Sequence, residues 1–176
     1  QGLLKNSLIN LDIPVLKNLY KAWQGSILDR VDYWNKFLSA SRDAFELQEE
    51  DRQLGKALAR LLVDLDLEEA KPFLKPPYGG FLTLYSLAAV RWDISLSDAA
   101  SGFLWMWAEN KVLCAMKLIP LGQTDGQKIL STVIETISNE VAQGLDLQDD
   151  AIGYSAPGQG IASALHETQY TRLFRS

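Results

Sequence analysis

The sequence contains very little histidine and cysteine, with one residue of each among 176. Cys114 and His166 lie far apart along the chain, so a single copy cannot build an ordinary His/Cys metal site, and we expect no metal and no cofactor. A site that bridges two copies of the chain stays an alternative, because softer metals favour these ligands. The single cysteine and the lack of an apolar leader at the first residues favour a reducing, cytoplasmic setting.

The sequence also lacks a block of basic residues, and its formal net charge of −5 argues against nucleic acid as a partner. Its most apolar stretch, residues 95–119, is interrupted by polar side chains and therefore predicts no membrane span. Because charged side chains are rarely buried unpaired, these residues should reach the surface or meet a partner. They are Glu109, Asn110, Lys111 and Lys117.

The same apolar stretch predicts the helix around which the chain packs. Ser95 and Asp98 have capping-box spacing at its start, and Pro120 ends the run. At 100° per residue the apolar side chains point in every direction, which is typical of a buried helix. With no period-2 alternation elsewhere, we expect an all-α, single-domain helical bundle packed around a central buried helix at about residues 97–119, with Cys114 as an inert core residue.

Apolar residues at helical spacing predict further helices on both sides of this one. Pro14 should kink the first helix or start a new one at Asp12-Ile13, and Gly25-Ser26 should end it. Residues 66–80 are rich in proline and glycine and predict a surface loop inside one domain. The predicted helices cover about residues 3–23, 27–40, 42–65, 81–92 and 121–145, and a last one opens at residues 153–158.

The helix expected at residues 42–65 is the most clearly amphipathic. Arg42 and Glu46 lie one helical turn apart and should attract each other. The charged face of this helix is interpreted as solvated surface. Gly55 lowers helix stability by about 1 kcal/mol relative to alanine, so a close neighbour is expected there. The charged face carries Glu46, Glu49, Glu50, Asp51, Arg52, Lys56 and Arg60.

The helix expected at residues 121–145 should end at Gly144. The predicted buried face consists of Leu130, Val133, Ile134, Ile137 and Val141.

Gly122 and Gly126 precede a lysine, but their spacing is not that of a phosphate-binding loop. Close packing of helices at these two glycines is the better interpretation.

No catalytic motif is complete. His166-Glu167 begins an H-E-x-x-H pattern, but Tyr170 replaces the second histidine. Ser155 lies in a partial nucleophile elbow without a preceding strand, and it fits better as the N-cap of the last helix. We expect that the protein is not an enzyme, although a small hydrolase that uses Ser155 and His166 stays an alternative.

The C-terminal tail is unusual because aromatic and arginine side chains crowd its last residues. Arg172, Leu173, Phe174 and Arg175 are typical interface anchors, whereas terminal residues are usually frayed and polar. A tail that docks onto a partner and a tail that folds back on its own domain are both open.

At this point the residues resemble the urease accessory protein UreF family. Residues 117–123 read K-L-I-P-L-G-Q, followed by G-Q at residues 126–127, which is similar to a block of that family. The ending at residues 164–176, A-L-H-E-T-Q-Y-T-R-L-F-R-S, resembles its C-terminal signature. Further similarity occurs at residues 12–14, 19–23 and 53–58, so the resemblance spans essentially the whole chain. The family's N-terminal segment with its S-x-G-L-E motif is absent, and we expect residues 1–176 to be a single UreF-like domain of a longer protein.

The resemblance implies an all-helical, non-enzymatic, cytoplasmic maturation factor that tends to form homodimers. Family members bind the UreD (also called UreH) accessory protein, and the complex recruits and regulates the UreG GTPase for nickel insertion into apo-urease. A helical adaptor of another protein complex is the alternative function. The resemblance makes Lys117 the candidate for the GTPase-facing side. The candidates for forming the accessory complex are Tyr170, Arg172, Leu173, Phe174 and Arg175.

Overall fold

The computed structural model describes residues 4–42, 44–153 and 157–167, and within these ranges every regular element is helical. The expectation of an all-α, single-domain fold is confirmed. A π-helical segment, Leu4–Asp12, opens the described chain. The α-helices are α1 (Ile13–Gln24), α2 (Leu28–Ala40), α3 (Phe45–Asp64), α4 (Phe81–Arg91), α5 (Leu96–Leu118), α6 (Gln123–Asp146) and α7 (Pro157–Glu167), with short 3-10 turns at Glu68–Leu74 and Asp149–Ala151.

The helix boundaries follow the local signals in the sequence. At the start of α5, the backbone N–H of Asp98 donates to Ser95 Oγ at 3.1 Å, and the Ser95 hydroxyl donates to Asp98 Oδ2 at 2.7 Å. Pro120 stops α5 at Leu118. Pro14 occupies the second position of α1, and Asp12 before it has helical backbone angles, so the π-helical segment changes to α-helix at Asp12-Ile13 without an interruption.

The centre of the core is α1 rather than α5. Ile13, Leu16 and Leu19 have no exposed surface, and α1 packs against α2, α4, α5 and α6. Next to α1, α4 is buried along much of its length, and Trp23 Nε1 donates to the Thr83 carbonyl oxygen at 3.0 Å. The central helix of a bundle is in contact with the largest number of other helices. By this criterion α1 is the central helix and α5 is not.

The prediction that the helix at residues 97–119 is buried on all sides is wrong for its second half. Phe103 and Leu104 are buried in the core, but Leu113, Cys114 and Leu118 are exposed. The cause is that α5 extends beyond the core, where its main packing partner is α6. Cys114 is therefore a surface residue and not an inert core residue.

Two glycines mark close helix packing. A Cβ at Gly55 would overlap the Gly79 carbonyl oxygen and lie 2.8 Å from the Gly80 carbonyl carbon, which confirms the expected close neighbour. Gly144 does not end α6, which continues to Asp146, and a Cβ there would lie 2.8 Å from Ile13 Cβ. Gly144 thus lets α6 approach α1, and the prediction of a helix stop is wrong.

Two further expectations about burial and pairing are wrong. Ile134 was placed on the buried face of α6, but 53% of it is exposed because no other helix of the described residues covers that side. Arg42 does not pair with Glu46, because α3 begins only at Phe45 and Arg42 lies outside the helix. The Arg42 guanidinium instead donates to buried Asp12, with 2.5 Å between Nη2 and Oδ1.

None of the helices in the described part of the chain combines the length and apolar character needed to cross a lipid bilayer.

Candidate protein-binding surface

The connection between α5 and α6 brings two helices together as a hairpin, and Gly126 sets their separation. A Cβ at Gly126 would lie 2.7 Å from Met116 Sδ and 3.3 Å from Val112 Cγ1, so the two helices approach closely there. Val112 also packs with Ala108 and Leu130 in a small buried cluster. The expectation of close packing at residues 122–126 is confirmed at Gly126.

Beyond this cluster the end of the hairpin exposes apolar side chains. Leu118 is 52% exposed and Ile119 is 55% exposed, while Leu113 and Ile129 are 46% and 43% exposed. These four residues, together with Lys117, lie within about two helical turns of the α5–α6 connection and are called the hairpin tip below. Apolar residues grouped on a surface in this way are typical of protein interaction sites.

Lys117 is the one sequence-predicted site residue inside the described ranges, and it lies exposed on the hairpin tip. Nearby cations are engaged with neighbours: Lys128 pairs with Asp125 at 3.2 Å, and Lys111 Nζ lies 5.7 Å from the Trp107 ring centroid. In the part of the chain that the structure describes, Lys117 has no ion pair. Its ammonium group is available to a carboxylate of a partner.

The C-terminal candidates Tyr170, Arg172, Leu173, Phe174 and Arg175 lie outside the described residues, as does Ser155. The last helix before them, α7, rests on α3. His166 Nδ1 lies 2.8 Å from Glu46 Oε2, which links these two helices.

Within residues 4–42, 44–153 and 157–167, no group of three or more histidine, cysteine, aspartate or glutamate side chains is arranged to hold a metal ion.

A polar pocket lies between α2, α3 and the turn at residues 76–80, with a volume of about 570 Å³. Sequence reasoning missed it because it placed Asp51 on the solvated face of α3. Asp51 Oδ1 accepts a hydrogen bond from the Phe81 N–H at 3.1 Å, at the first turn of α4. Gly55 was the signal that could have indicated the position of Asp51. It lies one helical turn after Asp51, and the close neighbour expected at Gly55 implies that both residues are on the inner face of α3.

Burial in this pocket raises the pKa of the Asp51 carboxyl group above its ordinary value. The positive charge of Arg42 and the hydrogen bond from Phe81 act in the opposite direction, and the charges of Asp12 and Glu50 reinforce the rise. The folded protein therefore stabilises the charged carboxylate of Asp51 less well than water does.

Comparison with known proteins gives a consistent result over the chain. The profile of the UreF family matches residues 1–134. The urease accessory protein UreF of Alkalilimnicola ehrlichii is 51% identical over 176 residues, which cover 100% of this chain and 77% of that protein. The proteins of the same name from Hahella chejuensis and Teredinibacter turnerae are 44% and 47% identical over 176 residues, covering 100% and 99% of this chain and 79% of each relative.

Proposed function

This chain belongs to the UreF family of urease accessory proteins, and we propose that it acts as a non-enzymatic scaffold in urease maturation. In this role it binds the UreD/UreH accessory protein, recruits and regulates the UreG GTPase in the cytoplasm, and thereby supports nickel insertion into apo-urease. The similarity over the whole chain to proteins named urease accessory protein UreF is the observation that carries the proposal.

We assign the UreG-facing side to the hairpin tip. Lys117 provides an exposed positive charge there, and Leu118 and Ile119 provide exposed apolar area beside it. In interfaces of this kind the apolar centre provides affinity, and a charged side chain at the edge orients the partner protein.

We assign the UreD/UreH contact to the tail, with Tyr170, Arg172, Leu173, Phe174 and Arg175 as its anchors. The described chain supports this assignment at α7, the helix that leads to the tail, where the apolar side chain of Ile161 is 61% exposed. An exposed apolar side chain on this helix extends the surface that the tail offers to a partner.

We further propose that the protein is a homodimer and that α3 contributes to the contact. Leu54, Leu61 and Leu65 are 49%, 53% and 50% exposed. Their separations of seven and four residues are those of a heptad seam, which pairs helices by interlocking leucine side chains.

The test is co-purification of the chain with UreD and UreG, with and without residues 172–176. Loss of UreD binding on truncation supports both the scaffold role and the tail contact. Binding that survives truncation contradicts the tail assignment but retains the scaffold role. Failure of both forms to bind either partner contradicts the scaffold role.

A further inference from the structure

The pocket between α2 and α3 has a mixed lining that suits a small charged group on an apolar stem. Pro76, Pro77 and Tyr78 form one wall, and Asp51 and Gln48 lie on the α3 side. Its volume of about 570 Å³ is in the range of ligand-binding pockets.

The two cations that line this pocket are held by carboxylates other than Asp51. Lys36 Nζ lies 2.6 Å from Asp32 Oδ2, one turn earlier on α2. Arg52 Nη1 lies 2.5 Å from Glu49 Oε2 on α3. The positive charges already present are therefore engaged along their own helices.

Asp51 keeps one carboxylate oxygen without a hydrogen-bond donor among the described residues. Oδ1 accepts from the Phe81 N–H, whereas no donor reaches Oδ2. Arg42 acts on Asp51 through its charge, but its guanidinium donates to Asp12.

Asp51, the carboxylate that lines the pocket, forms no ion pair among the described residues. Arg42 pairs with Asp12, Lys36 with Asp32 and Arg52 with Glu49, and Lys56 lies against the Tyr78 ring. A partly buried charge gains more from a partner than an exposed one, because the surrounding medium screens it less.

The aromatic wall is already in contact with an ammonium group. Lys56 Nζ lies 5.1 Å from the centroid of the Tyr78 ring, within the range of a cation–π interaction. The electron-rich ring faces and the prolines around it favour a cation with an apolar stem over an anion.

We propose that this pocket binds an organic monocation, an alkylammonium or guanidinium group, with Asp51 as its counter-ion and Tyr78 as its wall. The group is either free in solution or presented by a lysine or arginine side chain of a partner protein. The site is present in the isolated chain, and the proposal does not rest on the scaffold role.

The experiment titrates the ¹⁵N-labelled full chain with N-acetylarginine amide and N-acetyllysine amide and follows the backbone amides by NMR. We expect saturable shifts centred on Asn35, Gln48 and Gly80, and none with N-acetylnorleucine amide, which keeps the apolar stem without the charge. Asp51→Asn should weaken binding by at least about tenfold, because it removes the counter-ion and retains an acceptor for Phe81. Asp64→Asn is the matched control, since it makes the same substitution at an exposed position of α3 more than three helical turns from Asp51, and binding should be unchanged.

Tyr78→Leu provides a second test if Asp51→Asn does not fold, and it should weaken binding several-fold through loss of the ring. Equal binding of the norleucine derivative, unchanged binding in a folded Asp51→Asn variant, or no saturable shift with either cation overturns the proposal. If UreD or UreG displaces N-acetylarginine amide, the bound cation is a side chain of that partner. If neither protein displaces it, the cation is a free ligand. Because the titration needs only the isolated chain, its failure is distinguishable from failure of the scaffold role.

Discussion

Asp51 on α3 caps α4 by accepting a hydrogen bond from the Phe81 N–H at 3.1 Å. Gly80, at the N-cap position before α4, has no side chain to cap the helix itself. Asn35 on α2 completes the arrangement, because its Oδ1 accepts from the Gly80 N–H at 2.8 Å. Two helices thus supply the cap of a third, and the same carboxyl group faces the polar pocket.

The buried carboxyl group makes the stability of the protein depend on pH. Because the pKa of Asp51 is raised in the folded state, its contribution to stability is largest at low pH and is lost as the pH rises through that pKa. Asp51→Asn removes this charge and retains an acceptor for Phe81, so we expect it to raise the free energy of unfolding at pH 7. The gain should shrink as the pH falls towards 3.8, the ordinary value for aspartate.

Urea unfolding at pH 7 and at pH 3.8 measures this effect, with Asp51→Ala as the comparison. The alanine variant loses the cap of α4 as well as the charge, and loss of a cap costs about 1 kcal/mol. A lower stability of Asp51→Asn than of the unmodified chain at pH 7 would contradict the argument.

Gly55→Ala should destabilise the protein although alanine is the better helix former. The added methyl group gains about 1 kcal/mol in helix propensity but meets the backbone of Gly79 and Gly80, which cannot move aside as a flexible side chain can. We expect a net loss of about 2 kcal/mol, measured by thermal or urea unfolding.

The matched variant is Gly102→Ala on α5, where the nearest atom is the end of the Tyr85 side chain at 3.1 Å. It should change stability by less than about 1 kcal/mol. Equal effects of the two substitutions would show that the approach of α3 to Gly79 does not limit the packing.

Arg42→Met should be among the most destabilising substitutions of a charged residue in this chain. It leaves Asp12, whose side chain is only 1% exposed, without its guanidinium partner. Removal of one member of a buried ion pair costs about 3–5 kcal/mol. The double variant Asp12→Asn with Arg42→Met should recover part of this loss in urea unfolding, and an additive loss would indicate that the two residues are not coupled.

Lys117→Ala should weaken UreG binding by roughly threefold to tenfold, because it removes an exposed charge from the hairpin tip without affecting the core. Lys128→Ala is the control, since Lys128 is also exposed and already pairs with Asp125. Isothermal titration with UreG at two salt concentrations measures both variants. An unchanged affinity in Lys117→Ala removes this residue from the proposed contact.

Leu61→Lys should shift the protein towards monomers if α3 forms the homodimer contact. Leu61 is 53% exposed, so the substitution adds a charge to the leucine seam without opening the core. Analytical ultracentrifugation of the chain and the variant gives the dissociation constants. The control is Ile134→Lys on α6, an equally exposed residue away from that seam, and a similar shift in both variants would argue against α3.

The sequence by itself determined the α-helical class, most of the helix ends and the family. Ser95, Pro120 and Gly25 lie at the helix ends that they predicted, because caps and stops depend on hydrogen bonds and steric contacts between residues a few positions apart. Lys117 was expected either to reach the surface or to meet a partner, since an isolated charge is rarely buried, and the structure shows it exposed. The motif at residues 117–123 and the C-terminal ending pointed to the UreF family, which the whole-chain comparisons then showed.

Only the tertiary structure decided which helix faces are covered. Cys114 and Ile134 lie on apolar stretches yet are exposed, because within the part of the chain that the structure describes no other helix reaches those sides of α5 and α6. Asp51 lies on a charged stretch yet faces an interior pocket, because α4 and the turn before it pack across α3 at Gly55. Burial depends on contacts between residues far apart along the chain, and the periodicity of one helix contains no information about the position of the next.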